Sequence, residues 1–378
     1  MIPLNQPSRR FVDQNELLST ISNVITSGSW IQGQQNKLFE EEFADYLQVR
    51  RAIGVASGTD ALILALRAVG CQPGSKIISV ANAGGYTSIA AAIVGCEILF
   101  CDIDEVGLVM DPGCLEGMLS EEITAVVVTH LYGNVAPISK IVELCQKFGI
   151  KVIEDCAQSV GAKESGLYVG TIGDIGAFSF YPTKNLGAIG DGGAVVTNNL
   201  EFAEKILSLR QYGWGNSKYL IEISGGSNSR LDEIQAAVLR LELKKLEDRN
   251  QKRRNIVSRF HNALSGSSNS VVTSYARDSA CHLAIVLLPE SSQRAIFTKF
   301  MEDCGVQTAV HYPILDIEQP GLRRLSKNAN LPVSVKSNSR IVTLPLFPEL
   351  TIDEVEHICK ALSQFCLIQN RYSKEIFG

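Results

Sequence analysis

One lysine stands in a segment whose neighbours are suited to hold it in a fixed place. An apolar run at 175–180 leads into Tyr181-Pro182-Thr183-Lys184, and a glycine-rich stretch follows before a second apolar run begins at Ala194. Because proline and repeated glycine interrupt helices, the segment predicts two strands joined by a tight loop, with Lys184 ending the first strand. An amine beside an apolar sheet edge suits Schiff-base chemistry, since desolvation favours its neutral, nucleophilic form. A surface lysine in a glycine turn would have the same local pattern, so the rest of the chain decides.

Ser57-Gly58-Thr59-Asp60 lies between a predicted strand and a predicted helix. A helix N-terminus built from glycine and hydroxyl residues offers free N–H groups and a favourable dipole to a phosphate. The alternative is that Ser57 or Thr59 is simply an N-cap residue.

Asp155 directly follows the apolar strand predicted at 151–154. A carboxylate at a strand end inside a sheet crevice is costly to bury unless it has a cationic partner. A protonated pyridine nitrogen would be such a partner, and Gln158 would then meet a phenolate oxygen on the same ring. Alternatively, Asp155 caps the following turn.

Two further polar sites complete the set. Ser179 lies five residues before Lys184, and Asn228 lies in Ser227-Asn228-Ser229-Arg230, where it would contact phosphate; Ser229 would equally serve to cap the following helix. Together the motifs supply an anion-binding helix end, a buried carboxylate, a strand-end lysine and a second phosphate hydroxyl. That set fits pyridoxal phosphate (PLP), whose phosphate, ring nitrogen, ring oxygen and aldehyde each have a matching group.

The elements that would position these residues alternate between apolar strands and helices. Strands are predicted at 52–56, 76–80, 97–101, 124–129, 151–154, 175–180 and 194–197, and helices at 13–26, 35–47, 60–69, 138–148 and 200–209. Most strands are continuous apolar runs, as expected for a mainly parallel sheet covered on both faces. The pattern predicts a doubly wound α/β sheet of seven strands, in which ligands bind at the carboxyl ends of the strands.

The second part of the chain predicts a smaller α+β domain. A charged segment from Leu231 to about Leu264 predicts one long helix that links two domains. Beyond it, strands are predicted at 283–288, 307–311 and 341–344, and helices at 293–303 and 352–362. We therefore expect a large domain over residues 1–245 and a small C-terminal domain over residues 246–378.

Composition excludes several classes of protein. The net charge of −5 argues against nucleic-acid binding as the main role. No apolar run approaches the roughly 20 residues that span a bilayer, and the N-terminus lacks signal-peptide features, so we expect a cytoplasmic protein without a membrane partner. The ten cysteines are scattered without metal-ligand spacing, which predicts buried thiols and no metal site.

The sequence also resembles the PLP-dependent sugar aminotransferases of the DegT type, which have the aspartate-aminotransferase-like fold (PLP fold type I). The resemblance runs from Ser27 to Pro348. Its most specific motifs are SGTDAL (57–62), HLYG (130–133), IEDCAQ (153–158), GDIGAFSFYPTKNLGAIGDGGAVVTN (173–198) and NSRLDEIQAAVL (228–239).

The resemblance implies a role for each matched residue. Lys184 would form the Schiff base with PLP and shuttle the proton of transamination, Asp155 would pair with the pyridine nitrogen, and Gln158 would contact the ring oxygen. The phosphate would be held by Gly58, Thr59 and Ser179, joined by Asn228 from the neighbouring subunit of a homodimer with two shared sites. The substrate candidates are His311 and Tyr312, by the same resemblance, with Tyr181 and Trp30; packing is the plainer interpretation of Trp30.

Three positions differ from the family pattern. Ser227 stands where the family commonly has a tyrosine, and 316–320 lacks a histidine that often follows the His-Tyr-Pro unit. The segment 80–85 lacks the usual proline and aromatic ring, so we assign stacking on the cofactor to Tyr86, the ring available nearby.

The implied activity is transfer of an amino group from L-glutamate, through PLP and PMP, to the keto group of a nucleotide-linked deoxysugar in the biosynthesis of glycans, lipopolysaccharide or natural products. Gly84-Gly85-Tyr86 and Ser227 favour a dTDP-linked 3-keto-6-deoxyhexose. A nucleotide-sugar 4-aminotransferase is the alternative. Related dehydratases replace the lysine with histidine, so Lys184 argues against dehydration. A non-catalytic regulatory protein that binds PLP or sugar is the alternative from another class.

Overall fold

The computed structural model describes residues 1–11, 14–265, 271–272, 278–322 and 330–377. Its centre is a seven-stranded sheet in the order β1-β9-β8-β5-β4-β2-β3, which confirms the predicted α/β sheet. All neighbouring strands run parallel except β9, which is antiparallel to β1 and β8. The strands are β1 Arg51–Val55, β2 Lys76–Val80, β3 Glu97–Cys101, β4 Ile123–Thr129, β5 Lys151–Asp155, the short hairpin β6 Lys163–Glu164 and β7 Leu167–Tyr168, β8 Ile175–Ser179 and β9 Gly193–Thr197.

Helices cover both faces of this sheet because successive strand residues point to opposite sides. Ile77, Val127 and Ile153 pack on one side, while Ile78 and Val152 pack on the other. The helices of this part are α1 Gln14–Ser27, α2 Gln34–Leu47, α3 Gly58–Ala68, α4 Tyr86–Val94, α5 Pro112–Glu116, α6 Ile138–Gln146, α7 Leu200–Leu209 and α8 Glu233–Leu243. Because β4, β5 and β8 are parallel neighbours, their carboxyl ends meet at one edge of the sheet.

The prediction of a single long helix from Leu231 to Leu264 is wrong. The chain forms α8, turns at Lys244–Lys245, and continues as α9 Leu246–Leu264. Lys245 has φ −101° and ψ −3°, outside ideal helical values. Directly after the turn, Leu246 packs into the core and is fully buried. The charged residues around it gave no sign of this packing. The expected domain boundary at residue 245 falls at this turn and stays a prediction.

The C-terminal part is built on a second, three-stranded antiparallel sheet. Its strands are β10 Val271–Val272, β11 Ala284–Leu287 and β12 Ile341–Leu344, and its further helices are α10 Gln293–Asp303, α11 Pro332–Asn338 and α12 Ile352–Phe377. Apolar residues of α9, α10 and α12 form its core. The predicted helix at 352–362 is therefore the first part of a longer helix.

The strand predicted at 307–311 is also wrong. Ala309 forms only an isolated bridge with Thr343, and the preceding residues pair with the N-terminal segment, where Val306 bridges Ile2. After Ala309 the chain leaves the sheet edge, which brings His311 and Tyr312 towards the large sheet. Among the described residues, no helix has the length and apolarity that crossing a membrane demands.

Candidate active site

A cavity of about 550 Å³ lies where the carboxyl ends of β4, β5 and β8 meet residues of the C-terminal part. The sheet contributes Thr129, Asp155 and Ser179 to its wall. Other predicted residues also line it: Gly58, Thr59, Tyr86, Gln158, Tyr181, Lys184, His311 and Tyr312. Motifs that are far apart in the chain therefore converge on one space.

Lys184 enters this cavity from the loop that follows β8. Its side chain is half-buried and lines the cavity, and Lys184 forms no ion pair with the described part of the chain. Burial lowers the pKa of Lys184 to about 8, although the charge of Asp155 opposes this shift. A lysine with this pKa has a substantial neutral fraction near physiological pH, as nucleophilic attack on an aldehyde requires. The interpretation of Lys184 as a surface lysine is therefore wrong.

Asp155 ends β5 and faces the cavity. Its Oδ1 accepts the N–H of Ala157 at 3.1 Å, and its Oδ2 accepts the hydroxyl of Thr129 at 3.4 Å. Asp155 therefore caps the following turn, as the second alternative predicts, and also lines the cavity. Its pairing with a pyridine nitrogen stays a prediction. Burial raises the pKa of Asp155, which means that its negative charge lacks full compensation from the protein. A cation at the cavity side would provide it.

The preceding carboxylate, Glu154, points to the other side of β5. It accepts the N–H groups of Gly170, Ile172 and Gly173 at 2.6–2.8 Å and contacts His130 Nε2 at 3.0 Å. His130 Nδ1 accepts the N–H of Ala136 at 3.1 Å, so the neutral ring carries its proton on Nε2 and donates it to Glu154. Although Cys156 lies near both groups, the hydrogen bonds account for Glu154 and His130 without a metal.

Gln158 presents an amide whose orientation is fixed. The backbone N–H of Tyr132 donates to its Oε1 at 2.6 Å, so its NH₂ group faces the cavity and donates to the Tyr312 hydroxyl at 2.9 Å. A donor at this place matches the predicted contact with a ring oxygen. Tyr132 also donates its hydroxyl to the carbonyl of His311 at 2.6 Å. Tyr132 lies in the HLYG motif, yet its sequence carries no sign of this linking role.

The N-terminus of α3 lines the cavity where the sequence predicts that a phosphate binds. Ser57 is the N-cap, since its Oγ accepts the N–H of Asp60 at 3.1 Å. The cap does not use the N–H groups of Gly58 and Thr59, which lie in the first turn at the cavity wall and suit an anion. Gly58 is packed so tightly that a Cβ atom there would lie 2.6 Å from the Cβ of Ser179. The serine hydroxyl and the helix end therefore form one cradle that admits glycine at position 58.

The donor set fits PLP. The cradle at Gly58, Thr59 and Ser179 suits a phosphate, and Asp155 suits a protonated ring nitrogen. The amide donor of Gln158 suits a ring oxygen, and the amine of Lys184 suits the aldehyde. All of these groups line the same cavity.

Tyr86 is the first residue of α4 and is 47% exposed. Its ring lies edge-on to that of Tyr312, with 6.0 Å between centroids. Gly84 and Gly85 both have positive φ, and a Cβ atom on Gly84 would lie 2.9 Å from the Tyr312 ring. The glycine pair thus admits the ring of Tyr312, which is a second aromatic side chain at the site. Stacking of Tyr86 on the cofactor stays a prediction.

The remaining predicted substrate residues and the predicted phosphate ligand Asn228 divide into two groups. Tyr181 and His311 line the cavity, and His311 Nδ1 contacts the hydroxyl of Thr343 at 2.9 Å. Trp30 and Asn228 are exposed and do not line the cavity of the described chain. Asn228 forms an isolated bridge with Gln211, so its predicted contact with phosphate requires a neighbouring subunit.

His282 is a cavity residue that the sequence interpretation missed. Its Nδ1 contacts the Oδ1 of Asn185 at 2.9 Å. The amide of Asn185 donates to Asn250 and to the carbonyl of Ala280, which leaves Oδ1 as the acceptor and His282 Nδ1 as the donor. Burial lowers the pKa of His282 well below its usual value, helped by the charges of Lys184 and Arg253. The neutral ring therefore keeps Nε2 unprotonated, as an acceptor. A histidine just before a predicted strand was the available signal.

Comparisons with known proteins agree with this geometry. Residues 12–363 match the DegT/DnrJ/EryC1/StrS aminotransferase family. The chain is 35% identical to the dTDP-3-amino-3,6-dideoxy-alpha-D-galactopyranose transaminase of Aneurinibacillus thermoaerophilus, over 97% of this chain and 99% of that protein. It is 34% identical to the pleiotropic regulatory protein of Geobacillus stearothermophilus, over 93% and 94% of the two chains. The X-ray structure of S. venezuelae DesV in complex with a ketimine intermediate is similar with a TM-score of 0.92 and 32% identity, covering 97% of this chain and 98% of that one.

Proposed function

The chain belongs to the DegT/DnrJ/EryC1/StrS aminotransferase family, and from this premise we propose that it transfers an amino group from L-glutamate to the keto group of a nucleotide-linked sugar. The observation that carries the proposal is the Lys184 amine, which has a pKa of about 8 and shares one cavity with Asp155 and the anion cradle. Bound PLP supplies the electron sink for this exchange and carries the amino group as PMP.

Lys184 acts on protons in both halves of the exchange. Its Nζ, when neutral, removes the proton from the α-carbon of the amino donor and later delivers a proton to the carbon of the sugar that receives nitrogen. A base is most effective when its pKa lies near the working pH, and the partial burial of Lys184 meets this condition. Asp155 keeps the opposite end of the site negatively charged, and Gln158 directs a donor to the oxygen beside the reacting carbon.

The sugar enters between the two sheets. Tyr181, His311 and Tyr312 present polar atoms on an open side of the cavity, where Tyr181 is 52% exposed. We infer a dTDP-linked 3-keto-6-deoxyhexose as the acceptor. The Gly84-Gly85 pair, which admits the Tyr312 ring, and the 3-amino sugar named for the relative from Aneurinibacillus thermoaerophilus support this choice.

We propose that the working form is a homodimer with two shared sites. Asn228 lies outside the cavity of its own chain, on an exposed segment that also displays Tyr212, Tyr219 and Ile221. Exposed apolar groups clustered beside a polar residue are typical of a surface that a second copy covers. Asn228 would then reach the phosphate of the partner's site.

The test supplies ¹⁵N-labelled L-glutamate and a panel of dTDP- and UDP-linked 3-keto and 4-keto sugars to the PLP-loaded protein. We expect 2-oxoglutarate together with a ¹⁵N-labelled amino sugar from a dTDP-3-keto sugar, detected by mass spectrometry and located on its carbon by NMR. Lys184→Ala is the matched inactive control. A label at C4 would support the 4-aminotransferase instead, and sugar binding without any 2-oxoglutarate would support the regulatory protein, as the name of the Geobacillus stearothermophilus relative suggests.

A further inference from the structure

An arginine of the N-terminal segment binds the backbone of the loop that carries Lys184. Arg10 donates from Nη1 to the carbonyl of Pro182 at 2.8 Å, and from Nη2 to the carbonyls of Lys184 and Asn185 at 3.0 and 2.7 Å. Its side chain is only 8% exposed. One guanidinium therefore binds three backbone oxygens of the loop that carries the reactive amine, from a position 172 to 175 residues earlier in the chain.

Two charged residues fix the guanidinium in turn. Glu242, at the end of α8, accepts from Arg10 Nε at 2.7 Å and is 1% exposed. Arg249 of α9 pairs with the same carboxylate at 2.8 Å and donates to the backbone carbonyl of Arg10 at 2.8 Å. Because Arg249 also pairs with Glu349, the two cations are matched by two carboxylates. Arg10 is thus held by its side chain and by its backbone.

Gly187 gives an independent sign of this arrangement. A Cβ atom at position 187 would overlap Arg10 Nη1, and it would also lie 2.7 Å from the backbone carbonyl oxygen of Pro182. The backbone of Gly187 has no positive φ that would demand glycine. Space for the guanidinium, together with the carbonyl of Pro182 that it binds, therefore explains the glycine.

We propose that Arg10 is a positioning residue, which fixes the backbone of the loop 182–185 and thereby the direction in which the Lys184 amine enters the cavity. This inference rests on the proposed function of Lys184. Three converging carbonyl dipoles repel one another, and a buried cation holds them together. A reacting group must be held within about 0.5 Å of its productive place, so release of these carbonyls displaces the amine without removing it.

Two substitutions separate positioning from plain stability. Arg10→Lys keeps a cation for Glu242, but one ammonium group lacks the planar fork that reaches three carbonyls. Gly187→Ala keeps the Arg10 side chain but crowds both its guanidinium and the Pro182 carbonyl that it binds. Arg9→Ala is the matched control, because Arg9 is the adjacent arginine and pairs with Glu354 of α12 at 2.7 Å, away from the loop.

The first measurement is amide hydrogen exchange of the loop, in the protein with and without PLP. The amides of Lys184 and Ala188 donate to the carbonyls of Tyr181 and Phe180, both at 2.8 Å, so they report on the loop directly. We expect at least tenfold faster exchange of these amides in Arg10→Lys and Gly187→Ala, with exchange in β4 and β5 unchanged and Arg9→Ala like the wild type.

The second measurement is the dissociation rate of PLP, which we expect to rise at least fivefold in the same two variants. Loop exchange within twofold of the wild type, or acceleration spread evenly over the whole molecule, would overturn the proposal. The exchange readout without PLP requires no reaction. Failure of the proposed function would therefore appear as absent PLP binding with the loop result intact.

Discussion

The two sides of β5 hold similar groups in opposite states. On one side, Glu154 and His130 have every strong donor and acceptor occupied by protein atoms. On the other side, Asp155 and His282 each keep part of their hydrogen-bonding capacity directed at the cavity. Each side combines a carboxylate with a histidine, and all four residues are buried. Buried charge is thus structural where the protein supplies all partners, and functional where it leaves one place for a ligand.

The largest expected effect comes from the cavity side. Asp155→Asn removes the charge that matches a protonated ring nitrogen, so we expect amino transfer to fall roughly a thousandfold, the scale for losing one preorganised polar group. The protein without PLP should unfold at the same temperature or higher, because burial raises the pKa of Asp155 and its charge is therefore unfavourable there. Steady-state transfer rates and calorimetry check both parts. An unchanged transfer rate would contradict a functional role for the charge of Asp155.

Glu154→Gln is the matched change on the occupied side. A glutamine cannot accept four donors, so backbone N–H groups of the segment 170–173 lose a partner. We expect the free energy of unfolding to fall by about 3 kcal/mol, as for buried donors left unpaired. The folded fraction should bind PLP with an affinity within a few-fold of the wild type. Denaturant unfolding measures the loss, and unchanged stability would contradict a structural role for Glu154.

The cavity side of β5 also determines the pH at which the Lys184 amine becomes reactive. Without PLP, labelling of Lys184 by trinitrobenzenesulfonate should rise tenfold per pH unit and level off near pH 8, where half the amine is neutral. Asp155→Asn should shift this midpoint to lower pH, since the charge of Asp155 raises the pKa of Lys184. Quantitative peptide mass spectrometry follows the label. A midpoint near 10.4, the value of an ordinary lysine, would show that burial does not act on the amine.

The smallest effect is expected at His282, whose ring should not change its protonation state near neutral pH. Burial and the nearby charges of Lys184, Arg253 and His311 keep its pKa well below the usual value. Its ¹⁵N resonances should therefore stay those of a neutral ring with the proton on Nδ1 from pH 6 to 9. The five histidines permit selective labelling, and His282→Gln assigns the signals. Protonation of Nε2 within this range would remove the proposed acceptor.

The strands and the cofactor residues were predictable because each depends on contiguous sequence. Continuous apolar runs located β1 and β8, and the residues that follow the predicted runs, Ser57 and Tyr181, line the cavity. Arg10 and His282 were not predictable in this way, because their partners lie about 100 or more residues away. The same limit applies to the turn at Lys244–Lys245. The charged residues there have high helix propensity, so the local sequence predicts a continuous helix. The helix ends there in the structure, and Leu246 packs into the core directly after the turn.

The assignment of Glu154 and Asp155 shows the limit most clearly. Both are acidic and adjacent, and the motif alone did not reveal that Glu154 is occupied by His130 and three backbone N–H groups. Strand alternation states only that they point to opposite sides. Which side holds the cavity depends on the loop 170–173 and on the C-terminal part, which the local pattern does not specify.

The central claim is that the cavity amine of Lys184 holds PLP. Borohydride reduction of the PLP-loaded protein, followed by peptide mass spectrometry, tests it most directly. We expect a visible absorption band that reduction removes, with the cofactor mass attached to Lys184 alone and no stable attachment in Lys184→Ala. Attachment at another lysine, or a protein that stays colourless with excess PLP, would contradict it.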